Sequence, residues 1–230
     1  MKTTLYIFLG ILFLFTVWQF YGSYNNKQYE TVSNEIIGSI NSIDFKIYDQ
    51  YTKASVNTKA YNMNSASGNF PVLANYIFGG NKDNIQMEMT SPVLYNMSNK
   101  SSFSFVMPKE FEINNLPSPN SEKIFFETVK NQCIAVIKFS GFANEKNCAA
   151  KHLELLNILK KNNIDCNNDF MIAVYQPPYQ IINRKNEIWV EVNALEVKNI
   201  LLKKCLFFVY FLIQIPKLYK VKFFCKYQSV

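Results

Sequence analysis

The stretch YIFGGNKDNIQMEMTSPV, residues 76–93, decides how the chain around it must fold. Its first apolar residues continue a pattern of helical spacing, which predicts an amphipathic helix. Gly79 and Gly80 then supply the backbone freedom at positive φ that the C-terminus of a helix needs. We therefore predict that this helix ends at Phe78 and that a polar turn beginning at Asn81 follows it.

Beyond the turn, apolar and polar residues alternate. Ile85, Met87 and Met89 are each followed by a polar residue, which is the period of a strand with one buried face. Pro92 cannot donate a hydrogen bond within a sheet, so we expect it at a bulge or an edge. The sequence thus predicts a helix, a turn and a strand in this stretch.

Outward from this stretch, the same order of elements occurs twice. Two strands, a helix and two strands are predicted on each side of the rigid connector LPSP at residues 116–119. The second helix is predicted at residues 145–161, and the eight strands at residues 45–51, 54–58, 85–89, 103–107, 123–129, 133–139, 170–175 and 187–192. Eight strands and two helices are enough for an α+β barrel with helices outside.

Charge and cysteine content narrow the function classes. After residue 193 there are seven lysines and one glutamate, so this tail carries +6 of the formal net charge of +7. The body is therefore nearly neutral and lacks the clustered basic stripe of a nucleic-acid-binding protein. The five cysteines form no C-x-x-C pair, which indicates buried or free thiols, with one disulfide as the alternative.

Both ends of the chain are apolar. Residues 5–18 form an almost wholly apolar run near the N-terminus, typical of a signal for entry into the secretory pathway. Residues 1–23 are predicted to be a signal peptide or a signal-anchor helix, so we expect a membrane-anchored or secreted protein. The tail at 194–230 contains an 11-residue apolar run flanked by lysines. It is either an interfacial membrane segment or an extension outside the folded domain.

Seven motifs in order carry a resemblance to a known family. They are YIFGGN (76–81), MTSPV (89–93), FSFVMP (103–108), LPSP (116–119), FSG (139–141), YQPPY (175–179) and RKNEIWVEV (184–192). Together they resemble the SOUL haem-binding protein family. The resemblance implies a distorted eight-stranded barrel with two flanking helices and two pseudo-symmetric halves. It covers about residues 29–192, which lie within the predicted SOUL haem-binding-like domain at residues 24–193.

The resemblance also implies a ligand and a site. Members of this family bind haem or another tetrapyrrole in a hydrophobic cleft beside the first helix. By that analogy the cofactor-binding residues are Val72, Leu73, Tyr76, Ile77, Met87 and Met89. The first helix has neither a histidine nor a basic residue, so we expect haem to be held without strong axial ligation. No metal-ligating or catalytic residue is predicted.

Several other residues invite a functional interpretation. His152 is the only histidine, which excludes a haem held by two histidines. It lies on the apolar side of its predicted helix, where we expect a packed imidazole rather than an iron ligand. Met87, Met89 and Met107 form either a wall against a flat macrocycle or ordinary core. Glu187 and Arg184 are predicted to form a surface ion pair.

The leading hypothesis is non-catalytic binding of haem or a related tetrapyrrole. Two alternatives remain open, a protein-interaction module with a closed cleft and a tetrapyrrole-modifying enzyme. No phosphate-binding loop, nucleophile elbow or paired-carboxylate site occurs in the sequence. The expected partners are haem or porphyrin and, through the N-terminal segment, a membrane, with no nucleic acid.

Overall fold

The computed structural model describes residues 2–25, 29–58, 68–98 and 100–214, apart from the side chains of residues 23, 25 and 207–214. These residues form seven strands and four helices. The helices are α1 (Lys2–Asn25), α2 (Phe70–Ile77), α3 (Glu145–Lys161) and α4 (Ala194–Gln214). The strands are β1 (Glu35–Ile40), β2 (Ile43–Asn57), β3 (Val93–Asn96), β4 (Ser102–Val106), β5 (Ile124–Phe139), β6 (Met171–Val174) and β7 (Asn186–Glu191).

Six of the strands close an antiparallel barrel. β2 and β5 pair along almost their whole length, from Ile43 opposite Ile137 to Val56 opposite Ile124. From β2 the sheet continues through β4, β3, β6 and β7, and β7 pairs with β5. β1 lies outside the barrel, on the N-terminal part of β2. The structure therefore confirms an α+β barrel.

The predicted count of eight strands is not confirmed. The predicted strands 45–51 and 54–58 are one continuous strand, β2, and 123–129 and 133–139 are likewise one strand, β5. Asn131 adopts a φ of 50°, yet the register is the same on both sides of it. β5 therefore continues through polar residues that resemble a turn in the sequence. Apart from β1 and the two terminal helices, each half contributes a long strand, a helix and two short strands, while duplication itself stays a prediction.

Two further differences concern short elements. The predicted strand at 85–89 is an extended segment that meets α2's end through a single bridge between Phe78 and Gln86. β1 and β3 were not predicted, because four to six residues give too little period to recognise. The predictions for α3, β4, β6 and β7 are confirmed to within one or two residues at each end.

Three hydrophobic clusters hold the fold together. Alternate residues of the strands point into the barrel or outward, since side chains on a strand alternate between faces. The inner cluster contains Tyr48, Leu94, Val136 and Trp189. One outer cluster lies beneath α2 and contains Phe103 and Phe105 of β4, and the other lies beneath α3 and the start of α4. The barrel wall is therefore buried on both faces along much of its length.

The helices at the two ends of the chain, α1 and α4, differ in their contact with the barrel. In α4, Val197 is fully buried and Leu201 lies so close to Gly38 of β1 that a Cβ on Gly38 would be 2.6 Å from it. The first turns of the predicted tail thus pack on the barrel, while residues 215–230 lie outside the described residues. Among the described helices, only α1 contains a segment, Lys2–Gly22, that is long and apolar enough to cross a membrane.

Three cysteines in the described part of the chain, Cys133, Cys148 and Cys166, are free thiols. Cys133 and Cys148 are buried, and Cys166 and Cys205 are partly exposed. Burial raises the pKa of the Cys133 thiol to about 11 and that of Cys148 to about 12. Both thiols are therefore protonated at neutral pH, and such thiols are weak nucleophiles.

Candidate functional site

The inner face of α2 is closely packed against the barrel. Leu73 and Tyr76 are fully buried and Ile77 is 2% exposed. The Tyr76 hydroxyl donates a hydrogen bond to the Pro117 carbonyl at 2.9 Å. Burial raises the pKa of the Tyr76 phenol to about 12. The helix predicted from the stretch at 76–93 therefore exists, and its inward residues belong to the core.

The turn after α2 depends on the sequence GGN. Gly79 has a φ of +96°, and a Cβ on Gly80 would lie 2.6 Å from the Asn75 carbonyl oxygen. Asn81 is buried and donates hydrogen bonds to the carbonyls of Tyr76 and Ile85 at 3.0 and 2.7 Å. Its own side-chain oxygen accepts from the Ile85 N–H at 3.0 Å. The turn therefore fixes the segment at 85–89 relative to the helix.

The connector LPSP also contacts this turn. The Lys82 N–H donates to the Ser118 carbonyl at 2.9 Å, in addition to the contact between Tyr76 and Pro117. Asn81 and Pro119 also form an isolated antiparallel β-bridge. The sequence predicts only a rigid connector between two halves, but the structure shows that it supports the end of α2.

The six predicted ligand-binding residues lie in one cluster. Met87 is buried and its N–H donates to the Ile77 carbonyl at 2.8 Å. Val72 and Met89 are only partly buried at the edge of the same cluster. The six residues lie close together, as predicted. Four of them, however, are buried by other protein residues and have almost no surface that a ligand could contact. Ligand binding by these residues stays a prediction.

Exposed apolar residues lie at both ends of α2 and after its turn. Phe78 is 60% exposed, and Phe70 and Ile85 are each about 40% exposed. The Phe70 ring packs edge-on against Phe105, with centroids 5.3 Å apart. We call Phe70, Phe78 and Ile85 the α2 surface. Helical spacing alone carries no signal for this surface. Phe70 has the same spacing as the inward residues of α2 and contacts the barrel, whereas Phe78 and Ile85 lie beyond the end of the helix.

A cleft of about 280 Å³ lies at another part of the barrel. Its lining includes Thr31, Tyr51, Val106, Met107 and Phe111. None of the six predicted ligand-binding residues lines it. The cleft is also below the roughly 300–1,000 Å³ that is typical of a site for a drug-sized ligand.

A buried polar network occupies the barrel interior around Glu187. This carboxylate is fully buried and accepts from Lys46 Nζ at 3.1 Å, Tyr175 Oη at 2.9 Å and Trp189 Nε1 at 2.8 Å. Lys185 Nζ lies 3.3 Å away. The predicted surface pair of Glu187 and Arg184 is therefore wrong. Glu187 faces the barrel interior because it alternates with residues of β7 that lie beneath α3.

The network sets the charge of Glu187. Burial alone would raise the pKa of this carboxyl, but Lys46, Lys185 and the Trp189 N–H more than offset burial and lower it. Burial and the neighbouring carboxylate raise the pKa of the Tyr175 phenol. Glu187 is thus a charged acceptor that four donors surround, which is the arrangement of a structural buried charge.

His152 lies in the other outer cluster, on α3. Its ring stacks on Phe170 with centroids 3.9 Å apart, and its Nε2 is buried without a hydrogen-bond partner. α3 packs on β5 and β7, whereas α2 packs on β2 and β4. The structure thus does not bring His152 together with the six predicted ligand-binding residues.

The position of His152 predicts a pH dependence of stability. Burial lowers the pKa of the imidazole below its ordinary value, so below about pH 6.5 the unfolded chain binds more protons than the folded one. This contribution to the free energy of unfolding is fully present above that pH and is lost as pH falls through the folded-state pKa. His152→Phe should therefore flatten the dependence between pH 5 and 7 in urea unfolding. An unchanged slope would contradict the prediction.

Comparison with known proteins gives one family. The model of the SOUL heme-binding protein family matches residues 24–191. Heme-binding protein 2 of Mus musculus is 29% identical over 140 residues, which is 56% of this chain and 68% of that protein. Heme-binding protein 1 of Sus scrofa is 27% identical over 129 residues, covering 52% of this chain and 67% of that protein.

The solved structures support the fold. The C-terminal domain of EcmrR superimposes with a TM-score of 0.50 at 12% identity, over 66% of this chain and 96% of that chain. Because the sequence identity is only 12%, this similarity shows that the two proteins share a fold and nothing about their functions. The family match is more specific, because it covers the barrel, α2 and α3 together. This protein belongs to the SOUL heme-binding protein family.

Proposed function

We propose that the protein binds haem or a related tetrapyrrole, without catalysing a reaction on it, at the α2 surface. The family match supports the class of ligand. The exposed aromatic and aliphatic residues on α2 and after its turn support the location. Val72 and Met89, at the edge of the cluster, would lie beside the ligand, and Leu73, Tyr76, Ile77 and Met87 would form the floor beneath it.

The chemistry of this surface fits a flat apolar macrocycle. Porphyrin faces are apolar and aromatic, and Phe70 and Phe78 offer rings for stacking at an accessible position. Haem would be held mainly by these contacts, with its propionates at the solvent edge and without strong axial ligation. His152 stacks on Phe170 beneath α3, so it is not proposed as a ligand to the iron.

We expect Phe78→Glu to weaken binding of both ferric haem and metal-free protoporphyrin by about tenfold. This corresponds to roughly 1.4 kcal/mol, less than the burial of a whole phenyl ring provides. The full-length protein in mild detergent would be titrated with each ligand, and the Soret band and tryptophan quenching would be followed.

Leu153→Glu is the matched control. Leu153 on α3 is 60% exposed, as is Phe78, so both variants place a carboxylate on a helical surface at the same exposure. Equal losses in the two variants would contradict the location. His152→Ala should leave both affinities unchanged, whereas loss of the haem signal alone would place the iron on His152.

A second candidate function is a protein-interaction module. It is favoured by the packing beneath α2, where Leu73 and Tyr76 have no exposed surface. In this case the α2 surface would contact another protein and the core beneath it would stay closed. Failure of both porphyrins to saturate the protein in the titration would favour this function.

We further propose that α1 is retained as a membrane anchor. Almost all of its apolar side chains are exposed, and only 6% of the spanning segment is buried by the rest of the protein. Burial of such a helix in lipid removes this apolar surface from water. Secretion after cleavage of the helix is the alternative.

A further inference from the structure

The spanning segment of α1 contains one deeply buried polar residue, Gln19. It is 2% exposed, whereas its neighbours Trp18 and Phe20 are largely exposed. Gln19 Nε2 donates to the Tyr179 carbonyl at 3.1 Å, and the Ile181 N–H donates to Gln19 Oε1 at 2.8 Å. The Trp18 ring stacks on Tyr179 with centroids 5.7 Å apart. The loop at residues 177–184 is therefore attached to the C-terminal end of the helix.

The loop has a fixed shape that directs polar groups inward. Arg184 is buried and donates through one nitrogen to the carbonyls of Pro177 and Gln180, at 2.9 and 2.6 Å. The Gln180 side chain donates to the Ile182 carbonyl at 2.9 Å. Because these carbonyls accept hydrogen bonds from side chains within the loop, the large side chains on its outer surface are mostly apolar.

The outer surface of the loop consists of Tyr179, Ile181 and Ile182, which are 55%, 53% and 36% exposed. Three large apolar side chains at one loop tip are unfavourable in water, because removing apolar surface from water lowers the free energy. Among the described residues, Trp18 of α1 covers one side of the Tyr179 ring, and much of the remaining apolar surface is exposed. Their position next to Trp18 and Gln19 makes them continuous with the apolar surface of α1.

The dimensions of α1 place the loop at a defined depth. The spanning segment Lys2–Gly22 has 21 residues, which is about 31 Å of helix and matches a hydrocarbon thickness of about 30 Å. Gln19 lies three residues before the end of this segment, about 5 Å along the axis. Trp18 and Tyr21 stand at the same end, where aromatic residues favour the membrane–water interface.

We propose that the loop at 177–184 is a second membrane contact, in which Tyr179, Ile181 and Ile182 insert into the interface of the phospholipid bilayer that α1 crosses. The proposal rests on the anchoring of α1 but not on haem binding. The loop and the helix would together hold the barrel against the membrane in one orientation, because the two hydrogen bonds of Gln19 fix the loop to the helix.

The test uses tryptophan as a depth reporter in the full-length protein. All variants carry Trp18→Phe, and the buried Trp189 provides a constant background that is measured in Trp18→Phe alone. Reporters are placed at Ile181→Trp, with Ile182→Trp as a second position in the loop. Phe13→Trp reports on the middle of α1, and Phe78→Trp is an exposed site on the α2 surface.

The proteins would be reconstituted in phosphatidylcholine vesicles with bromine on the upper or the lower part of the acyl chains. We expect upper-chain bromine to remove most of the emission from Ile181→Trp and Ile182→Trp, lower-chain bromine to act on Phe13→Trp, and neither lipid to affect Phe78→Trp. Quenching of Phe13→Trp without quenching at either loop position would overturn the loop contact alone. No quenching of Phe13→Trp would overturn the anchor and, with it, the proposal.

Discussion

Glu187→Ala is expected to lower the free energy of unfolding by about 3–5 kcal/mol, because it leaves the buried ammonium of Lys46 without its partner. The Lys46 side chain is 6% exposed and Glu187 is fully buried. The variant also removes the acceptor of the Tyr175 hydroxyl and the Trp189 N–H. Urea unfolding of the full-length protein in mild detergent, followed by near-ultraviolet circular dichroism, measures the change.

Asp44→Asn is the matched control for the buried network. Asp44 lies on β2, as Lys46 does, and pairs at 2.7 Å with Lys138 of β5, but this pair is partly exposed, with side-chain exposures of 23% for Asp44 and 51% for Lys138. Exposed pairs contribute roughly 0–1 kcal/mol, so the control should remain close to the unaltered protein. If Glu187→Ala cost no more than this control, the network would not stabilise the barrel.

A double variant separates the charge from the hydrogen bonds. Lys46→Met with Glu187→Gln removes both buried charges and keeps a side-chain oxygen that can accept from Tyr175 and Trp189. Replacement of a buried ion pair by uncharged groups is often neutral, whereas loss of one partner is costly. The double variant should therefore be more stable than Glu187→Ala, and equal stability of the two would show that an unpaired charge is not the cause.

Asn81→Ala is expected to destabilise the protein by about 3 kcal/mol, since three backbone groups lose their partner and each unsatisfied buried group costs roughly 1–3 kcal/mol. The backbone groups that would lose a hydrogen bond are the Tyr76 carbonyl, the Ile85 carbonyl and the Ile85 N–H. Because Asn81 fixes the segment at 85–89, the variant should also bind porphyrin more weakly. Hydrogen exchange at the Ile85 amide should become faster.

Lys82→Ala controls for a change in the same turn. Lys82 is exposed, and its contact with Ser118 uses the backbone N–H, which alanine retains. The control should change neither the unfolding free energy nor porphyrin affinity by much. Equal behaviour of Asn81→Ala and Lys82→Ala would mean that the three hydrogen bonds of Asn81 do not hold the segment.

Local sequence signals were sufficient for the helices of the barrel domain. The glycines after Phe78 end α2, and Asn144 caps α3 by accepting from the Asn147 N–H, while Lys160 and Lys161 complete its last turn. These signals act within a few residues. The positions of α2 and α3 could therefore be predicted from the sequence without knowledge of their packing.

The strand connectivity could not be predicted in the same way. Asp49, Gln50 and Asn131 are polar residues in the middle of long strands, and in sequence they are indistinguishable from turn residues. What keeps β2 and β5 continuous is their pairing with each other, which joins residues far apart in the chain. Local patterns carry no information about such a partner.

The candidate site was predictable only in part. Helical spacing identified the residues beneath α2, but the side of the helix available to a ligand depends on which face the barrel covers. The same dependence explains Glu187, which a linear sequence presents as an ordinary surface carboxylate. Its burial follows from the closure of the barrel around Lys46, a residue 141 positions away.

The long pairing of β2 with β5 also determines when the fold can form. Val56 faces Ile124 and Ile43 faces Ile137, so the central ladder joins residues that are separated in the chain by about half of the domain. Until β5 leaves the ribosome, β2 exposes a row of unpaired backbone groups that favours association with other chains. Ladders of this high contact order form slowly, and the nascent N-terminal half therefore depends on protection from aggregation.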